Sequence, residues 1–360
     1  MALGFSDAGW FHDCMILWLQ KEPVKLSLAA LAIAFIKISI TSLTPVLAAA
    51  QSYEDNHVNF TQYGAFSKLC GSSATCAVAG VLLLVQGKKY FTMRASLHAY
   101  AVIATAAAIA VTAENQLSLV GEEWSLTWQC LIVVIVMGLQ MAMMDIEFSR
   151  RDWLVSGLFI CGCFVSALPW LPSKTINAIA PWYLAFGGIF AAVVYLGMEG
   201  LNQTYQDKLF RKLDTAITEQ VFFISLFATV IRIIGFLWEF RCLEAISFHA
   251  KHPFSFASVL LLSFMGVVMT FLMSYMLRLC GALICVMIHQ IMVNILAGKS
   301  QELNFVNNVF KWIGIIFMLG MLGTTMSMMQ HNHQKCDKIQ LTDEEMDEFE
   351  VEDESLLQDV

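Results

Sequence analysis

Six side chains whose chemistry sits badly in lipid interrupt the apolar stretches of this 360-residue chain: Lys37, Lys68, Gln140, Arg232, His289 and Asn294. A charged group at the centre of a membrane helix costs about 2.5–3.5 kcal/mol on insertion scales, so such residues normally face a partner or a wet cavity. Lys37 is followed by Ser39, Thr41, Ser42, Thr44 and Pro45. One segment therefore combines a cation, several hydroxyls and a proline that frees a backbone carbonyl, the composition of a cavity wall or gate. The ammonium of Lys37 either snorkels to the interface or lines that cavity. Arg232 either lines a cavity or pairs with Glu239 or a carboxylate of a neighbouring loop. Lys68 and Arg278 lie near helix ends, where an interfacial anchor is the plain reading. For His289 an interhelical hydrogen bond is favoured over a proton relay. Taken together, cations on helices with few carboxylates beside them suit an anionic solute.

The elements that must hold these residues are legible in the composition. Hydrophobic residues make up 58% of the chain and charged ones 14%, where a soluble domain carries roughly 25% charged residues. Mean hydropathy is +0.65. Apolar runs of about 18 to 25 residues recur, each long enough to cross a hydrocarbon core of about 30 Å as a helix. The alternation that marks barrel strands is absent, and a lipid-exposed backbone must satisfy its own hydrogen bonds. The fold class expected is all-α: a polytopic membrane protein of about ten transmembrane helices, near 28–50, 68–87, 94–113, 127–145, 153–172, 180–199, 218–238, 256–278, 279–297 and 309–329. The domain plan is an N-terminal segment 1–27, a bundle 28–330 with halves 28–172 and 180–329, and a tail 331–360. Five helices per half would make the halves an inverted-topology repeat, as many secondary transporters use to build a site at the midplane. The step from Leu277 to Gly281 requires a tight hairpin.

Charge orients the bundle. Lys21 and Lys25, Lys88 with Lys89 and Arg94, Arg150 with Arg151, and Lys208 with Arg211 and Lys212 mark alternate connections, while Glu54 and Asp55, then Glu122 and Glu123, mark the others. The positive-inside rule then puts both termini in the cytosol. Of two glycosylation sequons, Asn59-Phe60-Thr61 falls on the lumenal side, and Asn202-Gln203-Thr204 on the cytosolic side, where it stays empty. Residues 337–360 hold eleven acidic residues and one basic, a net −10 against −8 for the whole chain, so everything before the tail is +2. Such a run reads as a solvated appendage. Within it Glu352-Asp353-Glu354-Ser355-Leu356-Leu357 fits an acidic dileucine pattern, with Glu352 four positions before Leu356 and Leu357, which resembles signals read by clathrin adaptors.

The ten cysteines do not form a metal-ligand pattern. No Cys-x-x-Cys occurs, and Cys161 and Cys163 are about 200° apart around a helix, so most read as small hydrophobes. His331-Asn332-His333 with Cys336 lies beyond the last helix. No metal, cofactor or nucleic-acid partner is expected, and the chain is not expected to be an enzyme, because a membrane-embedded one would need clustered His, Asp or Glu residues at catalytic spacing and no His-x-x-x-His or Asp-rich motif occurs.

Several short segments together resemble the nucleotide-sugar transporter family of the drug/metabolite transporter superfamily. Tyr63-Gly64-Ala65-Phe66-Ser67-Lys68-Leu69 looks like the start of that family's second helix, with Lys68 at its recurring lysine. Glu114-Asn115-Gln116-Leu117 is similar to an Asn-Asn-Asn-Leu stretch ending the third, and Thr127-Trp128-Gln129 to the Thr-Tyr-Gln that opens the fourth. Tyr205 to Lys212 resembles the family's basic linker, and Arg278-Leu279-Cys280-Gly281-Ala282-Leu283 the tight turn between its eighth and ninth helices. Two positions depart: the lysine that often follows Thr-Tyr-Gln by five residues is Val134, and an expected ninth-helix arginine is missing. The resemblance implies exchange of a nucleotide sugar, or nucleotide sulfate, for a nucleoside monophosphate by alternating access. It implies a cavity formed by Lys37, Lys68, Asn115, Gln129, Arg232, Tyr275 and Arg278. The tail, with its acidic dileucine pattern and no Lys-Asp-Glu-Leu type of retrieval sequence or terminal dilysine, points to residence in the Golgi membrane. The expected partners are the nucleotide-linked solute, the lipid bilayer, a clathrin adaptor at the tail and a second copy in a homodimer. The alternatives are a transporter of another organic solute in an endosomal or lysosomal membrane, residence in the endoplasmic reticulum, and a non-transporting membrane protein.

Overall fold

The computed structural model describes residues 64–86, 93–120, 128–167, 182–238, 242–251, 253–296 and 309–327, with four helical positions, Ala29, Ala32, Ile33 and Ile36, nearer the N-terminus. Every regular element among the described residues is a helix. In chain order they are α1 (Gly64–Gln86), α2 (Leu97–Val120), α3 (Ile132–Met144), α4 (Arg150–Ala167), α5 (Trp182–Leu213), α6 (Ile217–Trp238), α7 (Cys242–Lys251), α8 (Pro253–Leu296) and α9 (Val309–Ser327). Phe66–Gln86, Leu97–Glu114, Ile217–Trp238, Phe256–Ile295 and Val309–Ser327 are each long and apolar enough to cross a membrane. The protein is thus a polytopic α-helical membrane protein. Leu84, Val85, Phe186, Phe190, Trp238 and Ile316 are exposed on its outside, where a soluble protein would not leave them and where lipid tails satisfy them.

Phe256–Ile295 is 40 residues, about 60 Å of helix and twice the hydrocarbon thickness. The resolution lies at Gly281, whose φ of 78° and ψ of 172° interrupt α8. Only glycine adopts that backbone without strain, and the sequence places it where the tight turn is expected. α8 is therefore two spans, one on each side of Gly281.

Alternate connections meet at one end of the bundle, as an up-and-down chain requires. Arg94 before α2 and Arg278 at the end of the first arm of α8 both reach Asp214 between α5 and α6, each with a nitrogen 3.0 Å from a carboxylate oxygen. Lys212 at the end of α5 lies 3.6 Å from Asp145 at the end of α3. Thr218 of α6 donates to Gln86 of α1 at 3.0 Å. At this basic end α4 starts with a capping box: Ser149 Oγ and N both donate to Asp152 Oδ2 at 2.7 Å, satisfying donors that a helix start leaves orphaned. The opposite end of the α1–α6 pair is aromatic. There Phe66 sits 6.0 Å from Phe236 and stacks 4.7 Å from His249. α7, in a connection from which the sequence predicts no helix, turns Ala245 and His249 inward.

α1 packs on α6 and α8, α2 on α5 and α6, and α3 on α5. A continuous apolar core joins α3, α4, α5, α8 and α9, with Ala29 and Ile33 entering it from the N-terminal side. α4 and α9 approach backbone to backbone, because Gly162 and Gly314 face one another without side chains. Small residues are what membrane helices use to approach. The 200° separation of Cys161 and Cys163 is visible here too: Cys161 is exposed, and Cys163 is buried against Met318 of α9.

The largest departure from the sequence reading is α5. The sequence predicts a helix ending near 199 and then a linker, yet the helix runs on to Leu213. Its charges are satisfied in place: Arg211 Nε donates to Asp207 Oδ1 one turn earlier at 2.7 Å. The sequon at Asn202 lies mid-helix and buried, its amide oxygen accepting from Gln206 at 2.8 Å. No glycosyl group fits there, whichever side of the membrane it faces. Asn59 lies outside the described residues, as do both terminal segments.

Candidate functional site

α5 carries a ladder of polar residues at four-residue intervals, Tyr195, Glu199, Gln203, Asp207 and Arg211; consecutive members sit on neighbouring turns, and the stripe winds about 40° around the helix at each step. The second arm of α8 answers with His289 and Gln290, four and five residues beyond Cys285. Where the two stripes face each other there is a cavity. Tyr195, Glu199, Gln203, His289 and Gln290 supply its polar wall. Ile132 of α3 and Met273 and Cys285 of α8 close its apolar side.

The polar wall is an acceptor-rich surface. Glu199 Oε1 accepts from Gln203 Nε2 at 2.9 Å, and Oε2 from Asn202 Nδ2 at 3.4 Å, so its own helix orients the carboxylate and leaves lone pairs spare. Gln290 is 1% exposed, and its side-chain oxygen has no hydrogen-bond partner. An orphaned buried acceptor costs about 1–3 kcal/mol, and such a group is retained where a ligand or water completes it. The cavity volume is about 20 Å³, room for roughly one water. Organic ligands need about 300–1,000 Å³, so the cavity as it stands is too small to hold one.

The sequence-predicted residues are distributed over three places. Gln129 is buried one turn before Ile132, and Tyr275 is partly buried against the core two residues after Met273, but neither is among the residues that line the cavity. Arg278 is exposed at the basic end, paired with Asp214. Lys68 and Arg232 are brought together on the other side of the bundle, near the aromatic end, where half-buried Arg232 donates from Nη1 to the Lys68 carbonyl at 2.6 Å. The partner of Arg232 is thus a backbone oxygen of α1. Glu239 and Lys37 lie outside the described residues. Asn115 is in the last turns of α2, and its side chain is likewise outside them. Val134, at the departing family position, is exposed on α3.

Because the Lys68 carbonyl, and not its ammonium, holds Arg232, the two substitutions separate. Arg232→Met breaks a charged hydrogen bond between α1 and α6 worth about 1.5–3 kcal/mol and lowers the thermal midpoint. Lys68→Ala leaves the midpoint within a degree or two of the parent. Equal loss in both variants would place the tie in the lysine side chain.

Sequence reasoning missed Tyr195, Glu199, Gln203 and Gln290. The signal that finds the first three is the four-residue ladder on α5, which reaches Gln203 once the helix is allowed to continue through its charged end; Gln290, on α8, is outside that ladder.

The helices and the site together define a multi-span membrane protein with a small, partly polar cavity between helical walls. No family model matches this chain. It is similar to the UDP-galactose/UDP-glucose transporter 5 of Arabidopsis thaliana, with 26% identity over 229 residues, 62% of this chain and 65% of that protein. UDP-galactose/UDP-glucose transporter 5B of the same plant is 27% identical over equal shares. The matched region spans a little less than two thirds of the relatives' length. These relatives bear out the resemblance to the nucleotide-sugar transporter family read from the short motifs, and both carry the name of a transporter rather than an enzyme.

Proposed function

We propose that this protein is a secondary transporter of a nucleotide-linked sugar, with UDP-linked hexoses as the substrate class, exchanging it for a nucleoside monophosphate across an endomembrane. The observation that carries this reading is the pair of facing polar stripes on α5 and α8, which enclose the cavity inside a membrane bundle. The similarity to proteins named for UDP-galactose and UDP-glucose supports the substrate class. A hexose offers several hydroxyl donors, and Glu199 with Gln290 offers acceptors that lack enough donors of their own. The diphosphate is met by intramembrane cations that the sequence supplies, Lys37 among them. Purified protein tests the reading by thermal stabilisation. UDP-galactose and UDP-glucose raise the midpoint at concentrations where free galactose does not, and no stabilisation by any nucleotide compound would refute it.

A second reading has one observation in its favour. Among the described residues the cavity wall holds a carboxylate and an imidazole, with no lysine or arginine. A solute that is neutral or cationic where it meets Glu199 would suit that wall, and stabilisation by such a compound alone would select this reading.

The topology proposed is ten spans in two inverted halves, with both termini in the cytosol. That places Glu352, Leu356 and Leu357 where a clathrin adaptor can read them, in a protein resident in the Golgi and cycling beyond it. Replacing Leu356 and Leu357 by alanine moves the steady-state protein toward the cell surface by imaging. An unchanged distribution would assign localisation to the helices.

A further inference from the structure

Eight residues beyond Glu199 on α5 lies Asp207, a carboxylate with 0% exposure in a stretch whose neighbours are cations. Its oxygens are fully engaged across three helices. Oδ1 accepts from Arg211 Nε at 2.7 Å, while Oδ2 accepts from Gln140 Nε2 of α3 and from the backbone N of Ala282, both at 3.0 Å. The Ala282 N–H is the first of the second arm of α8, one of the donors that a helix start leaves unsatisfied. Asp207 therefore caps that arm from another helix, with its negative charge at the positive end of the helix dipole. Gly281, at φ 78°, makes the fit possible: a Cβ there would run into the Arg211 guanidinium and come within 3.2 Å of Asp207 Oδ2.

The position of this cluster relative to the cavity gives it a role. Asp207 is eight residues from Glu199 along α5, and Ala282 is eight residues from Gln290 along α8, so on both walls the cluster lies about 12 Å from the site. The same two helices that enclose the cavity are joined at their basic ends by one buried carboxylate. We propose that Asp207, with Arg211, Gln140 and the Gly281–Ala282 backbone, is a clasp that holds the basic end of the transport cavity shut and positions its two walls. Opening that end requires Ala282 N to leave Asp207. Arg211, half-exposed at the surface, is the member that water reaches first. This inference rests on the alternating-access reading but not on the identity of the solute.

Cys285 provides the test, because it lines the cavity and is 1% exposed. Cys163, at 2% exposure, is buried elsewhere, between α4 and α9. The measurement is the rate of maleimide labelling at each cysteine in the purified full-length protein, resolved by mass spectrometry, with no substrate present. Loss of one charged hydrogen bond shifts the opening equilibrium by about tenfold or more. Arg211→Gln and Asp207→Asn therefore raise the Cys285 rate by about tenfold, and Gly281→Ala does the same, while the Cys163 rate stays within about twofold. Arg211→Gln changes a half-exposed residue and keeps the test open if the buried substitution prevents folding. An unchanged Cys285 rate in folded Arg211→Gln protein, or a parallel rise at Cys163 showing general loosening, overturns the clasp. Binding of UDP-hexoses is read separately, so failure of the clasp and failure of the substrate assignment give different results.

Discussion

Gln290→Leu lowers uptake of a UDP-linked hexose by about tenfold or more, while the thermal stability of the purified protein is unchanged or rises. The two halves of this expectation have one physical cause. The Gln290 side-chain oxygen is buried and without a partner, so the resting protein already bears the cost of desolvating it. Leucine has similar volume and no acceptor, and replacing an orphaned polar group by an apolar one of the same shape is neutral or stabilising. A substrate hydroxyl that bonds to Gln290 loses that bond in the variant and is left unpaired in a closed cavity, at about 1–3 kcal/mol. Glu199→Gln acts on the same surface: the carboxamide retains the shape but weakens acceptance from substrate hydroxyls. A structural role for Gln290 predicts the reverse combination, lower stability with normal uptake, and uptake rate and melting temperature on the same preparation distinguish the two.

The largest effect on the fold itself comes from Gly314→Ala. A Cβ at Gly314 lies 2.5 Å from the Ser166 backbone nitrogen and 2.6 Å from the Gly162 carbonyl oxygen. Both are main-chain atoms of α4, so no rotamer change relieves the overlap and the two helices must move apart. Moving them opens the packing of Cys163 on Met318 and exposes the neighbourhood of Ser166, which hydrogen-bonds Asn294 of α8 at 2.6 Å. Overpacking of this kind costs about 3 kcal/mol, enough to lower abundance and the melting temperature sharply. Gly320→Ala, two turns along the same helix with nothing within 4 Å of its Cβ, is the matched control and leaves both unchanged. Equal melting temperatures for the two variants would show that α4 and α9 are not in this close contact.

What the sequence discloses and what it conceals follow from the range of the forces involved. Hydropathy is a sum over about twenty residues, so the spans survive any single misreading, and the break at Gly281 announces itself as a glycine in an apolar run too long for one crossing. The end of α5 is concealed because its charges, read alone, belong in water. The Asp207–Arg211 pair, the donors of Gln140 and Ala282 to Asp207, and the contact of Lys212 with Asp145 make a continued helix tolerable there, and all but the first are not local in sequence. The inward cations proposed from sequence divide in the same way. Lys68 and Arg232 do meet, but through a backbone carbonyl that carries no residue signature. Glu199 is overlooked because a lone carboxylate in the last turn of an apolar run reads as a helix end. Its role depends on facing Gln290, about ninety positions later in the chain.

The most direct measurement of the central claim is uptake into sealed proteoliposomes containing the purified full-length protein, across a panel of labelled nucleotide sugars, with and without a nucleoside monophosphate inside. The account predicts saturable uptake of UDP-galactose or UDP-glucose, stimulated severalfold by internal UMP and reduced by Gln290→Leu. Absence of uptake for every nucleotide sugar, from a preparation whose melting temperature shows it to be folded, would contradict it.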